Sequence, residues 1–184
     1  MSDDPIHRPP RFTSPDENEL KVLARELLCT ESTMVVATCG AESAWAAPVY
    51  FVYRSGALYF FSDPTSRHIR DAQGAKSCAA SVHGSRAESW REIRGIQMSG
   101  RVIRAPLGLE AVQAVRSYLD KFPFTREWLV SELREDVEAF RKRFGVQLFK
   151  FDPTLVYYLD NRFRFGFRAA VRLDPTAGRG GRAS

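Results

Sequence analysis

The stretch from Ala46 to Arg70, AAPVYFVYRSGALYFFSDPTSRHIR, constrains the fold more than any other part of the chain. Residues Ala46–Tyr53 and Ala57–Ser62 are dense in Val, Tyr and Phe, which pack well on a pleated surface. Arg54, Ser55 and Gly56 supply a tight turn between them, so the run predicts a β-hairpin. Asp63 then offers a helix cap and Pro64 suits a first helical position. The spacing predicts a short helix over 67–73, stopped by Gly74, with Ser66, Arg67 and His68 in its first turn.

Backbone N–H groups in a first helical turn lack partners, and the helix dipole there favours an anion. An apolar wall ending in a positive, hydroxyl-bearing helix start suits a flat aromatic ligand with a phosphate tail. The same Asp-Pro and Ser also serve simply as a cap, and on spacing alone that is the commoner use. Pro48 cannot donate to a strand ladder. It belongs at an edge, at a bulge, or where a ligand takes a neighbouring strand's place.

Elsewhere the pattern alternates short strands with amphipathic helices. Leu20, Leu23, Ala24, Leu27 and Leu28 fall at helical spacing over 16–30, with Ser14 and Pro15 marking the start. Met34–Cys39, Lys76–His83 and Ile93–Arg104 read as strands, the last with a bulge or bend at Gly100. Arg94, Ile96, Met98 and Val102 share one face of it; Gln97, Ser99, Arg101 and Ile103 share the other. A second amphipathic helix runs over 107–121 with Leu109, Val112, Val115, Tyr118 and Leu119 as its apolar side, until Pro123 breaks it. The charged segment 127–144, with Trp128, Leu129 and Leu133, reads as wholly or partly helical. Val146–Phe151 and Thr154–Leu159 read as strands separated by Asp152-Pro153, and Phe163–Leu173 as a last strand. Many short strands with turn signals point to a small closed or partly open barrel, and the lack of sustained strand–helix alternation argues against a doubly wound parallel sheet.

The 184 residues are expected to form one domain over 16–172, with a helical insert at about 107–144 and disordered tails over 1–15 and 173–184. No apolar run reaches membrane-spanning length, and the polar, Pro-rich start lacks a signal region, so a cytoplasmic protein is expected. Cys29, Cys39 and Cys78 form no CxxC or zinc-type cluster; all three read as reduced structural residues. The net charge of +5 comes from 22 Arg and 5 Lys against 22 acidic residues. Arg162, Arg164, Arg168 and Arg172 alternate with Phe163, Phe165 and Phe167. That run reads as a strand with one polar face, in preference to a nucleic-acid module.

The segment APVYFVYRSGALYFFSDPTSRH resembles the core of the FMN-binding split-barrel proteins related to pyridoxamine 5'-phosphate oxidase. IRGIQMSGRVIR, DKFP and YYLDNRFRFGF resemble an uncharacterised bacterial branch of that superfamily. The resemblance spans about Thr33 to Val171. It implies a mainly β (α+β) fold, a six-stranded antiparallel split β-barrel with flanking helices, and a homodimer with FMN at its interface. Ala47, Pro48, Val49 and Tyr50 would then line the isoalloxazine. Phe61 and Ser62 would meet the ribityl-phosphate end, and Ser66, Arg67 and His68 would hold the phosphate. Arg is suited to that by its bidentate, charge-assisted bonds. Trp90, Arg94 and Gln97 are candidates for contacts near the ring.

The departures from the oxidase narrow the chemistry. Ala46 and Phe51 stand where it has a basic residue and a lysine. His68 replaces a lysine in the phosphate triplet, and the C-terminal Arg-x-His substrate motif is absent. Oxidation of vitamin B6 phosphates is therefore not expected. The expectation is an FMN-dependent oxidoreductase acting on an unidentified small molecule, the flavin doing the redox chemistry. The alternative is a non-catalytic binder of flavin, deazaflavin or haem. A haem would need an axial ligand from His68 or His83, with the groove around Tyr50 and Phe51 accepting the ring.

Overall fold

The computed structural model describes residues 14–41, 43–85, 87–125 and 145–173. The two expected tails, apart from their inner ends, and segment 126–144 of the insert lie outside the described residues.

Helix α1, Glu17–Thr30, buries Leu20, Ala24, Leu27 and Leu28 along one stripe. Its cap is Asp16, whose side chain accepts from the Glu19 N–H at 2.8 Å, slightly later than Ser14-Pro15. The strands are β1 Thr33–Cys39, β2 Ala44–Tyr50, β3 Val52–Arg54, β4 Ala57–Ser62, β5 Cys78–His83, β6 Arg94–Arg104, β7 Gln147–Asp160 and β8 Arg168–Ala170. Helix α2, Arg67–Gly74, precedes β5, and α3, Leu109–Lys121, follows β6. The strands form one sheet in the order β2-β1-β5-β6-β7-β4-β3, with β8 paired to β7. Every pairing is antiparallel.

Closure follows from this order. β2 and β3 stand at opposite ends of the sheet, yet only Phe51 separates them in the chain. The sheet must therefore curl until its two edges meet, which makes the split barrel. Six strands carry it, and the three-residue β3 and β8 complete its margins. The expected Ala46–Tyr53 strand is thus two strands. Ala44–Tyr50 pairs with β1, and only Val52–Arg54 forms the hairpin with β4. Phe51 marks the crossing because its ring is fully buried in the barrel core, so it does not line a groove as expected. Ser55 and Gly56, at φ 50° and 81°, turn the hairpin in the sense its twisted strands require.

The interior packs Leu27 and Leu28 of α1, Met34, Phe60, Ile69, Ile96, Phe149, Phe151 and Tyr158 together. A second cluster lies outside the barrel wall, where α3 covers Val52, Tyr59 and Leu148. α3 faces the wall with Ala111, Ala114 and Tyr118, while Leu109 is 73% exposed, so its buried face is rotated from the expected one. Small alanines let the helix approach closely. Tyr59 Oη donates to Glu110, and Arg54 Nη2 donates to Gln113 Oε1 at 2.6 Å, which fixes the rotation.

Two further boundaries differ from expectation. β7 runs unbroken through Asp152-Pro153, which meets the register shift at Ser99/Gly100 of β6. A Cβ on Gly100 would lie 2.4 Å from the Asp152 carbonyl oxygen, so glycine is what lets the two backbones cross there. In the Phe163–Leu173 run only Arg168–Ala170 is strand; 161–167 is a set of turns. Asp160 is buried there and accepts from Tyr158 Oη at 2.7 Å and from Arg162 Nη2 at 2.6 Å. Alternating Arg and Phe look the same in a turn of this kind as in a strand.

Candidate functional site

The end of β4 and the start of α2 bring Ser62, Ser66 and His68 into contact, and Arg67 opens the same helix. The chain leaves β4 at Ser62 and turns on Asp63, whose carboxylate accepts from both the N–H and the hydroxyl of Thr65 at 2.7 Å. Those bonds hold the Asp63 carboxyl below the usual range. Asp63 therefore closes a turn and does not cap the helix. Ser66 is the N-cap residue, and Arg67 and His68 open α2. The first-turn N–H groups thus begin at Arg67, next to the Ser66 hydroxyl.

Ser62 Oγ lies 2.9 Å from His68 Nε2 and 3.2 Å from Ser66 Oγ. Ser66 Oγ donates to the Asp63 carbonyl at 2.7 Å. Burial lowers the His68 pKa against the opposing pull of Asp71, so the imidazole is neutral at pH 7. Neutral His68 with its proton on Nδ1 accepts from Ser62. Protonation reverses that bond and frees the Ser62 hydrogen for another acceptor.

Three residues that sequence reasoning missed hold Arg67. Its Nη2 donates to Ser43 Oγ at 2.8 Å, its Nε lies 3.5 Å from Asp71 Oδ2, and its guanidinium sits 4.6 Å from the Trp45 ring centroid. Asp71 follows Arg67 by four residues, a helical ion-pair spacing that was readable. Ser43 and Trp45 come from across the fold and left no local signal. Asp71 Oδ2 is buried without a hydrogen bond, and a Cβ on Gly40 would lie 2.4 Å from Asp71 Oδ1.

The other expected ligand residues are distributed as follows. Ala47 is buried, Val49 half-buried, and Pro48 and Tyr50 exposed on β2, an edge strand where a residue without an N–H is tolerated. Tyr50 stacks edge-on to Phe122 and Phe124 beyond α3. Phe61 meets Tyr118 in the α3 layer. Pro48, Val35, Ser81, Gln97 and Tyr157 form one row across the outer face of the sheet. Arg94 opens β6 and Trp90 lies in a 3₁₀ turn just before it. Ser62 pairs with Gln147, and Arg104, the last residue of β6, pairs with Phe149. The serine cluster and Trp90–Arg94 thus lie toward opposite ends of β6, whose ten steps at roughly 3.3 Å each run to roughly 33 Å.

His83, the second haem-ligand candidate, is exposed at the end of β5 opposite Gly95. Cys78 is buried, but Cys29 and Cys39 are exposed, contrary to the expected packing role for all three. Among the described residues no group of His, Cys, Asp and Glu could hold a metal ion, and no helix is long and apolar enough to cross a membrane.

No family model matches the sequence, and no curated protein matches it. Solved structures do match the fold. A heme binding protein from Mycobacterium smegmatis aligns at TM-score 0.64 and 15% identity, over 87% of this chain and 59% of that one. A FAD-binding protein from Mesorhizobium loti aligns at TM-score 0.55 and 16% identity, over 73% and 88% of the two chains. HutZ, a heme storage protein from Vibrio cholerae, aligns at TM-score 0.54 and 14% identity, over 73% and 89%. At these identities the likeness concerns the split-barrel fold alone.

Proposed function

We propose that this chain is an FMN-binding protein and acts as a flavin-dependent oxidoreductase on a small molecule. The observation that carries the reading is the convergence of the Ser62 and Ser66 hydroxyls and His68 within 3.5 Å contacts at the start of α2, whose first residue is Arg67. This donor set fits a phosphate monoester: hydroxyls, helix N–H groups and a permanent cation. Structural neighbours described as flavin- and heme-binding lend the fold-level part of the reading its support.

In this reading Ser62, Ser66, Arg67 and His68 hold the phosphate, and Ala47–Tyr50 of the exposed edge strand flank the ring. Bound FMN would supply hydride and electron transfer. The protein's own groups neutralise the phosphate and hold the ring against β2. The separation of Trp90 and Arg94 from the serine cluster favours a homodimer. If these residues touch the same ring, they do so from a second copy laid against the outer sheet face.

Titration with FMN followed by desalting tests the reading. Retained flavin in the wild type and at least a tenfold loss of affinity in Arg67→Ala support it. A protein that takes haem and not FMN, with His68 or His83 required, supports the alternative.

A further inference from the structure

The ladder between β4 and β7 changes character at its last pair. Leu58 stands opposite Phe151 and Phe60 opposite Phe149, all four buried in the barrel core, and the Phe60 and Phe149 ring centroids lie 5.9 Å apart. The next pair on that face is Ser62 and Gln147, two polar side chains ending an apolar column. Directly opposite residues of an antiparallel pair carry their side chains on the same face, with Cβ atoms roughly 4.5–5.5 Å apart. Gln147 therefore stands beside Ser62, whose Oγ lies 2.9 Å from His68 Nε2.

The Gln147 amide oxygen is buried and has no hydrogen-bond partner among the described residues. A buried acceptor left unbonded destabilises a fold, and leucine would fill the same place without that penalty. Ser62 does not satisfy it. With His68 neutral, the single Ser62 hydrogen goes to Nε2. A phosphate dianion does not satisfy it either, because its oxygens only accept. The partner that an amide oxygen takes in this place is a hydroxyl, and one close to the phosphate.

We propose that Gln147 is a ligand residue of the serine cluster and reads a hydroxyl on the carbon next to the phosphate-bearing one. Its amide oxygen accepts from that hydroxyl, while Ser62, Ser66 and His68 meet the phosphate. The ligand class is then the phosphate monoester of a polyol chain. In FMN the hydroxyl is the one on the 4' carbon of the ribityl chain. The inference rests on the phosphate reading proposed above and adds a selectivity to it. A phosphate on a chain without that hydroxyl leaves the amide oxygen unpaired, and a site built to bond a hydroxyl rejects an analogue that lacks it.

The test is the affinity of flavin-free protein for FMN, for riboflavin and for 4'-deoxy-FMN, which keeps ring and phosphate and lacks that hydroxyl. We expect the wild type to bind FMN at least tenfold more tightly than 4'-deoxy-FMN. Gln147→Leu should bind the two alike, and its melting temperature without flavin should be unchanged or higher. Gln147→Glu keeps an acceptor but sets a charge beside the phosphate. It should weaken FMN at least tenfold and leave riboflavin within about threefold of the wild type. The proposal is overturned if Gln147→Leu keeps the wild-type preference, since another group then reads the hydroxyl. It is also overturned if Gln147→Leu melts lower without flavin and binds FMN as before, which would make the amide a structural group. A wild type that binds FMN no better than riboflavin overturns the phosphate reading itself, and this inference with it. A wild type that prefers FMN to riboflavin but not to 4'-deoxy-FMN leaves that reading standing and overturns the role of Gln147 alone.

Discussion

Ser62 Oγ and His68 Nε2 lie 2.9 Å apart, joining the last residue of β4 to the first turn of α2. That bond makes the cluster's proton inventory depend on one imidazole whose pKa burial lowers. In the unfolded chain a histidine titrates near 6.5. A folded pKa below this means that the free protein loses stability as pH falls through about 6.5 toward the folded value, and is most stable above it. NMR titration should place the free His68 below 6.5. Added FMN should raise it, because a phosphate favours the imidazolium. His68→Gln should remove that part of the slope in stability against pH.

The Asp160 carboxyl gives a slope of the same sign in a more acidic window. Burial pushes its pKa up, but the bonds from Arg162 and Tyr158 outweigh that and hold it below the usual carboxylate range. Its stabilisation is complete above about pH 4 and is lost as pH falls through the lowered native value. Asp160→Asn should cost about 3 kcal/mol, the lower end for breaking a buried pair, since half-exposed Arg162 can turn to water. Urea unfolding at pH 7 measures it, and the variant should show a flatter acid limb than the wild type.

Gly100→Ala tests the strand crossing. The new Cβ would meet the Asp152 carbonyl at 2.4 Å and Pro153 Cα at 2.9 Å, both backbone atoms that cannot swing aside. We expect a loss of roughly 1–3 kcal/mol, as for overpacking a filled core. Gly74→Ala, with nothing within 4 Å of the added carbon, is the control and should melt within a few degrees of the wild type.

Much of this arrangement was legible in local pattern. The α1 stripe, the alternating faces of β6, the bulge at Gly100 and the Ser-Arg-His triplet are all set by neighbours in sequence. What was not legible depends on partners far along the chain. Phe51 divides one apolar run into two strands because the barrel closes there, and no residue nearby announces it. α3 buries Ala111 and Ala114 because Tyr59 and Arg54 anchor Glu110 and Gln113. Its hydrophobic periodicity alone favoured Leu109 and Val112. The Asp63 turn was missed for a local reason: an Asx turn on Thr65 and a helix cap use the same residues, offset by three. At the candidate site the triplet was readable, but the Ser43 and Trp45 contacts of Arg67 were not.

The separation of the serine cluster from Trp90 and Arg94 along β6 also yields a prediction. Purified protein loaded with FMN should show twice the chain mass by light scattering. A charge placed in the exposed sheet row, as in Gln97→Lys, should weaken both assembly and FMN retention at least tenfold. A monomer that binds FMN as tightly as the dimer would remove the second copy from the site.

Ser62, Ser66, Arg67 and His68 are proposed to hold the phosphate of a flavin. Parallel titration of wild type and Arg67→Ala with FMN and with riboflavin, which lacks the phosphate, tests it most directly. Wild-type protein should bind FMN at least tenfold more tightly than riboflavin, and Arg67→Ala should erase the difference. Equal affinity for the two flavins in the wild type, or an unchanged preference in Arg67→Ala, would contradict it.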